Sequence, residues 1–362
     1  MRLSNPFKTL LKFIIPAVFL SLAGIASIYS SSSGENDFSD FKKQIVFLIA
    51  AIALCAVAAF LDLRFLKSNS AVAASFYFFS LALLIGVLVV GEEIHGVKGW
   101  YKAGPLSFDP MPVAVISFIV VLSRYFSLKH IETKSFRTIL FSFFYFLPPV
   151  SLIFLQPDLG SAAIILAVWL GIIIFSGLDL RQFILIFLVF VILFSLSWAF
   201  WLKPYQKQRI LTFIKPGIDP RGASWNVNQS KIAIGSGGFL GKGPGKGSQI
   251  KYGFLPEAKT DFIFSAIAEE YGFAGSVLVF GLINFILFQL IKTAVAAKSN
   301  FLRLFSAGVA FWVFSQSFIN ITMCLGIMPV IGVPLPFVSY GGSQLVSFYL
   351  GLGVIASLSA RE

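Results

Sequence analysis

The sequence predicts an all-α polytopic membrane protein of about ten transmembrane helices, and three observations predict it. Charged residues make up only 12% of the 362 residues and hydrophobic ones 57%, where a soluble domain carries about 25% charged residues. The charges gather between long charge-free runs, and roughly 18 or more apolar residues in a row can cross a bilayer as a helix. Lysine and arginine also divide unevenly between alternate loops, as they do in chains sorted across a membrane.

Taken in order, the runs place spans at 13–29, 45–61, 71–90, 110–123, 138–157, 159–178, 182–202, 262–291, 304–324 and 340–358. The segment Met1–Lys8 has the basic start of a secretory signal. The run behind it is too long for a signal core and no small-x-small cleavage site follows, so it reads as a retained first helix. Pro110 and Pro112 open the short fourth span. Glu269 and Glu270 stand at the mouth of the eighth, which puts its membrane part at 271–291. No charge occurs between Leu304 and Ala360, a stretch too long for one helix. The break falls in Gly326–Gly342, where three prolines and four glycines cannot sustain a helix interior. Non-helical backbone at that depth must be shielded by protein or line a wet cavity.

With the N-terminus inside, the inner segments hold fourteen basic residues, from Arg2, Lys8 and Lys12 through Arg124, Lys129, Lys134 and Arg137 to Arg361. The short outer loops hold four, Lys42, Lys43, Lys98 and Lys102. The bias puts both termini in the cytoplasm and the long loop 203–261 on the extracytoplasmic side of a single transmembrane domain spanning 1–362. The net charge of +12 is explained by loops and anionic headgroups, and nucleic acid is not implied. Cys55 and Cys324 lie in apolar segments, and His95 and His130 are the only histidines. Neither a disulfide framework nor a zinc site is expected. There is no internal repeat with paired, broken, ionisable segments of the kind that marks an ion-coupled transporter.

The chemistry is expected in the long loop. It holds ten basic residues against three acids, Asp219, Glu257 and Asp261, and eight glycines fall within 235–253. Glycine lets main-chain N–H groups turn toward an anion, and interleaved lysines would add charge. Two readings stand: a cradle for phosphate or pyrophosphate, or a flexible, solvated loop. The spacing fails a Walker A pattern. Asp261, where the loop enters the eighth span, is either a helix cap or a general base beside an anionic leaving group.

At these residues the sequence resembles the SEDS family of membrane glycosyltransferases, the RodA/FtsW/SpoVE group. The resemblance rests on Gln156-Pro-Asp-Leu-Gly-Ser161, on Gln229-Ser230 with Gly235-Ser-Gly-Gly238, and on Leu255–Phe264 with Ala268–Phe273. Asn320 and Pro334–Ser343 complete the set, and Gly96-Val-Lys-Gly-Trp100 with Gly104-Pro105 matches a further motif. It implies a ten-helix multi-pass protein of the bacterial cytoplasmic membrane that polymerises lipid II at the outer face. It also implies pairing with a class B penicillin-binding protein, and a divalent cation, Mg or Mn, with no organic cofactor. Asp261 is then the essential carboxylate. Trp100, Asp158, Gln229, Ser230, Glu257 and Ser339 are motif residues expected to bind substrate, and Arg209, Lys242 and Lys246 are candidates for the pyrophosphate.

One departure stands out. The family's Gln-Pro-Ser-Glu, with a lysine three residues on, is here Asp109-Pro110-Met111-Pro112 with Val115. The arginine of its Arg-Trp pair is Gly99. An inactive scaffold for the transpeptidase and a lipid II flippase therefore stand as alternatives to the polymerase. The short tails point to the RodA branch and to cell elongation. Trp312, Phe314 and Phe318 on the ninth span, and the apolar eighth span, face lipid, other helices or a partner's span.

Overall fold

A computed structural model describes residues 6–35, 37–94, 96–104, 106–129, 136–200, 204–215 and 223–362. Met1, Arg2, His95, Pro105, His130, Lys134 and Asp219 lie outside them. Among the described residues ten helices are long and apolar enough to cross a membrane, and each falls on a span expected from the sequence. They are α1 (Pro6–Glu35), α2 (Ser39–Phe60), α4 (Ser70–Val90), α5 (Met111–Leu128), α6 (Phe136–Leu155), α7 (Leu159–Ser176), α8 (Leu180–Phe200), α12 (Ile263–Ala296), α13 (Asn300–Cys324) and α14 (Gly342–Ala360). The one-turn helix α3 (Phe65–Ser68) joins α2 to α4. Several starts are capped by local polar side chains, which satisfy main-chain N–H groups that have no partner inside the helix. Asn69 accepts from Ala71 N, Asp158 from Ser161 N and Ser299 from Leu302 N.

The helices divide by burial. α5, α13 and α14 are mostly enclosed by protein, while α8 exposes nearly all of its apolar surface. α14 lies along α2, and α13 packs against α5, α7 and α12. The centre is aromatic: the rings of Trp312 and Phe348 stack at 4.1 Å, and Phe337 lies 5.0 Å from Phe348 and 5.7 Å from Tyr349. Phe337 belongs to the expected break, which is non-helical from 325 to 341. Its φ of 65° is a conformation that costs a non-glycine residue about 1–3 kcal/mol, and burial of its ring in the core offsets that cost.

Three features differ from the sequence reading. Between α4 and α5 the chain forms a small antiparallel sheet, β1 (Glu92–Ile94), β2 (Val97–Ala103) and β3 (Leu106–Phe108). It is tied to α4 by Tyr101, whose hydroxyl donates to Leu83 O at 2.6 Å, and by Lys98, whose Nζ donates to Leu88 O at 2.8 Å. Gly86 leaves room for the tyrosine, since a Cβ there would stand 2.3 Å from its hydroxyl. The long loop is largely ordered, with helices α9 (Pro204–Ile214) and α10 (Ala223–Ser236) and a single turn, α11 (Ser248–Lys251). Helix α12 begins before Glu269 and Glu270 and is broken at Gly272, whose φ of 67° and ψ of −161° no helix contains.

The non-helical segment reaches the core because α1 makes way for it. A Cβ on Gly24 would lie 2.0 Å from Val338 O. We expect Gly24→Ala to lower stability by about 1–3 kcal/mol, as overpacking does. Gly281→Ala on α12, with nothing within 4 Å of its added Cβ, should be neutral or slightly stabilising. Thermal unfolding of the purified protein in detergent checks this, and equal melting temperatures for the two variants would contradict the close approach.

Candidate functional site

The site is built around the turn that leads into α12. Thr260 N and Phe262 N both donate to Glu257 O, folding residues 257–262 into a compact turn that ends on Asp261. Its main chain is fixed from the other side by the last turns of α13 and the residues after it. Asn320 Nδ2 donates to Asp261 O and to Val333 O, each at 2.8 Å. Ser339 Oγ donates to Thr260 O at 2.7 Å and accepts from Leu335 N at 2.7 Å, while Tyr340 N donates to Lys259 O. Gln44, a fully buried amide in α2, donates to Ser339 O and accepts from Gly341 N. The backbone on both sides of Asp261 is thus held by amide and hydroxyl groups, and its carboxylate lies beside Gly332, 3.5 Å from where a Cβ there would stand.

Asp261 is half-buried. Burial pushes its carboxyl up to about 7; the charge of Glu257 adds to the rise, that of Arg209 opposes it, and that of Asp158 adds again. Asp158 is also raised, first by burial, although Ser161 and Gly160 donate to it and Arg209 attracts it. Asp109 is pushed up to about 7 by burial, against the N–H of Met111 and with help from Asp158. Arg209 on α9 is the cation common to Asp158 and Asp261, and two clefts meet at it. The larger, about 420 Å³, lies between α9, α10 and the turn at Gly326–Val330. The other, about 370 Å³, is lined by Asp158, Gln206, Ile331 and Val97 of β2. Among the described residues no group of three acids, histidines or cysteines is placed to hold a metal ion.

The glycine- and lysine-rich stretch is ordered against α12. Two of its N–H groups face the protein's own carboxylates. Gly245 N donates to Glu270 Oε1 at 2.9 Å and Gln249 N to Glu269 Oε1 at 3.1 Å. Lys242 N and Gly243 N donate to the carbonyls of Glu269 and Glu270, and Phe273 N and Ala274 N, past the break in α12, donate back to Gly238 O and Phe239 O. Both glutamates are buried. The glycines permit this closeness: a Cβ on Gly237 would meet Ala268 O at 1.9 Å and one on Gly241 would meet Glu270 O at 2.1 Å. Lys242 closes the clasp with its Nζ 2.7 Å from Glu269 Oε1.

The residues expected to bind substrate have the following surroundings. Lys242 serves Glu269, and Lys246 is exposed on the same clasp; neither lines the two clefts that meet at Arg209. Ser230 is fully buried, with its hydroxyl between Ser265 Oγ and Cys324 O at 2.6 Å each, so it binds α10 to α12 and α13. Ser339 is equally occupied by main chain. Asp158 caps α7 while lining a cleft. Gln229 is buried. Glu257 is exposed and accepts from Thr260 Oγ1 at 2.7 Å. Trp100 is half-buried on β2, opposite Glu92. Pro112 and Val115 are buried in the first turns of α5, so the charged pair they replace would be enclosed by protein. Trp312 is internal, whereas Phe314 and Phe318 are exposed. Lys231, which lines the larger cleft beside Arg209, escaped the sequence reading. Its signal was its helical spacing from Ser224 and Asn228 on one face of α10.

The chain matches the family model described as cell cycle protein, FtsW/RodA/SpoVE, over residues 4–362. Peptidoglycan glycosyltransferase MrdB of Escherichia coli K12 is 34% identical over 286 residues, which cover 79% of this chain and 77% of that protein. A chain from a peptidoglycan synthase complex that coordinates polymerization and crosslinking is 32% identical. Its TM-score is 0.80, over 95% of this chain and 97% of its own. The rod shape determining protein RodA of Thermus thermophilus is 31% identical, with a TM-score of 0.68 over 95% of each chain.

The clasp separates the two lysines by experiment. Lys242→Met leaves Glu269 buried without its cation and should cost about 3–5 kcal/mol of stability. Lys246→Met should stay within about 0.5 kcal/mol, as exposed substitutions do. Denaturation of the two purified variants would contradict the clasp if their losses were equal.

Proposed function

The chain belongs to the FtsW/RodA/SpoVE family, and from that membership we propose that it is a peptidoglycan glycosyltransferase that polymerises lipid II, serving cell elongation. The end of the bundle that carries Asp261 faces outward from the bacterial cytoplasmic membrane, both termini lie inside, and the alternation of basic residues between loops supports this orientation. The observation that carries the reading is a carboxylate with a clamped main chain, pushed up to about 7 and set across from the cation Arg209. A general base works best when its pKa lies near the working pH.

In the proposed reaction Asp261 takes the proton from the 4-hydroxyl of the acceptor sugar. That oxygen forms a bond to the donor's anomeric carbon with inversion, and the carbon–oxygen bond to the pyrophosphate breaks. Undecaprenyl pyrophosphate already leaves well, so no acid partner is required, and cationic groups stabilise its developing charge. Arg209 is the first candidate, and Lys246 remains accessible for substrate. A divalent cation would supply the same stabilisation, but the described residues do not fit a resident ion and no step is routed through one. The complex that coordinates polymerization and crosslinking supports pairing with a class B penicillin-binding protein. The exposed aromatic faces of α12 and α13, including Phe280, Phe288 and the stacked pair Phe314 and Phe318, would receive its membrane span.

Synthesis of glycan strands from purified lipid II, by the protein with its partner in detergent, tests the reading. Asp261→Asn should insert and fold normally and lose about 10²-fold or more in rate. Asp261→Glu should also fail, because it displaces the carboxylate by a methylene. Glu257→Gln should be milder. An active Asp261→Asn enzyme would remove Asp261 as the base; an unaltered protein that makes no strands would favour the scaffold.

A further inference from the structure

We propose that the cleft between α9, α10 and the turn after α13 is the seat of a prenyl-linked pyrophosphate, with Lys231 and Thr212 as binding residues that act beside Arg209. The proposal rests on the glycosyltransferase reading for the identity of the ligand and deepens it by placing the leaving group.

Four observations converge on the cleft. First, the described residues that line it include two cations, Arg209 and Lys231, and no acid, a lining that attracts an anion. Second, Lys231 makes no ion pair among the described residues, unlike Lys242 and Lys259, which meet Glu269 and Asp40. Third, the backbone opposite is shaped around the Lys231 side chain. A Cβ on Gly326 would fall 2.2 Å from its Cε and 2.6 Å from its Nζ, and Gly326 has a φ of 69°, so the ammonium passes over a residue that can carry no side chain. Fourth, Thr212 Oγ1 is buried at the cleft with no hydrogen-bond partner. An unpaired buried hydroxyl costs about 1–3 kcal/mol, and a ligand oxygen would relieve it.

The donors suit pyrophosphate. Arg209 and Thr212 share one face of α9, and Asn228 and Lys231 share one face of α10. Together they offer a guanidinium, an ammonium, an amide and a hydroxyl, all able to donate. Phe213, Val227 and Met328 make the rest of the wall apolar, which suits the first isoprene unit and argues for a lipid-linked ligand over a free anion. Arg209, which lines the cleft, is also the cation that lowers the rise at Asp261.

Binding of undecaprenyl pyrophosphate to the purified full chain in detergent tests this without requiring turnover. Inorganic pyrophosphate and phosphatidylglycerol serve as competitors. Lys231→Gln should weaken binding at least about 10-fold, Lys231→Arg should restore it to within about 3-fold, and Thr212→Val should weaken it by about 3-fold or more. Gly326→Ala, which displaces the Lys231 ammonium, should behave like Lys231→Gln. Inorganic pyrophosphate should compete weakly and phosphatidylglycerol not at all. Undiminished binding by Lys231→Gln and Thr212→Val would overturn the proposal, and so would equal competition by phosphatidylglycerol, which would mark a headgroup site. If Lys231→Gln melts well below the parent, Lys231→Arg and the near-isosteric Thr212→Val decide. Loss of binding in a protein that makes no strands would leave the seat standing and sink the polymerase reading alone.

Discussion

The rest of the site depends on how the main chain between α13 and α14 is satisfied. Seventeen residues, 325–341, leave the helical state at an end of a membrane bundle, where an unpaired N–H or carbonyl is costly and water is scarce. Several of their polar groups are taken up by the side chains of Asn320, Ser339 and Gln44, and the first two also hold the carbonyls of Asp261 and Thr260. One set of hydrogen bonds thus solves the membrane's backbone problem and fixes the carbonyl of the catalytic candidate. Phe337 anchors the same segment in the aromatic centre.

A second fixture acts farther along α12. The break at Gly272 and the clasp that wraps Glu269 and Glu270 hold the first turns of that helix against α1 and the loop. Asp261 belongs to the first fixture through its carbonyl, which accepts from Asn320, and the second lies beyond it on α12. Burial first, and then the charges of Glu257 and Asp158 against that of Arg209, raise the Asp261 carboxylate toward neutrality. A carboxylate with an ordinary pKa would be a much weaker base toward a sugar hydroxyl.

Much of this was legible in the sequence, because the signals are local. Charge-free runs gave all ten spans, three prolines and four glycines gave the break, and Asp261 stood out as one of few acids in a basic loop. The fate of the glycines was not legible. Gly-Lys repeats with N–H groups turned inward have the same composition whether the anion they enclose is a phosphate or a glutamate 27 residues away. Only the fold reveals that Lys242 meets Glu269. Ser230 and Ser339 were assigned to substrate because motif membership does not distinguish a ligand contact from a hydroxyl that joins two helices. The sheet at 92–108 was missed although Val97–Ala103 alternates, because short strands between spans give a weak signal beside helices of twenty residues. Lys231 was overlooked because its partner feature, Gly326, lies far along the chain.

The central claim is that a single carboxylate, raised by its surroundings, must be ionised for the reaction to proceed. The most direct measurement is the rate of strand synthesis from lipid II, at subsaturating substrate, between pH 5 and 9, referred to the sites in the free enzyme. Deprotonation of Asp261 creates the base, so the rate should be low in acid, rise with a slope of one proton through about 7 and level off above it. A rate already level at pH 5, as an ordinary carboxylate near 4 would give, or one that falls as pH rises through 7, would contradict the account.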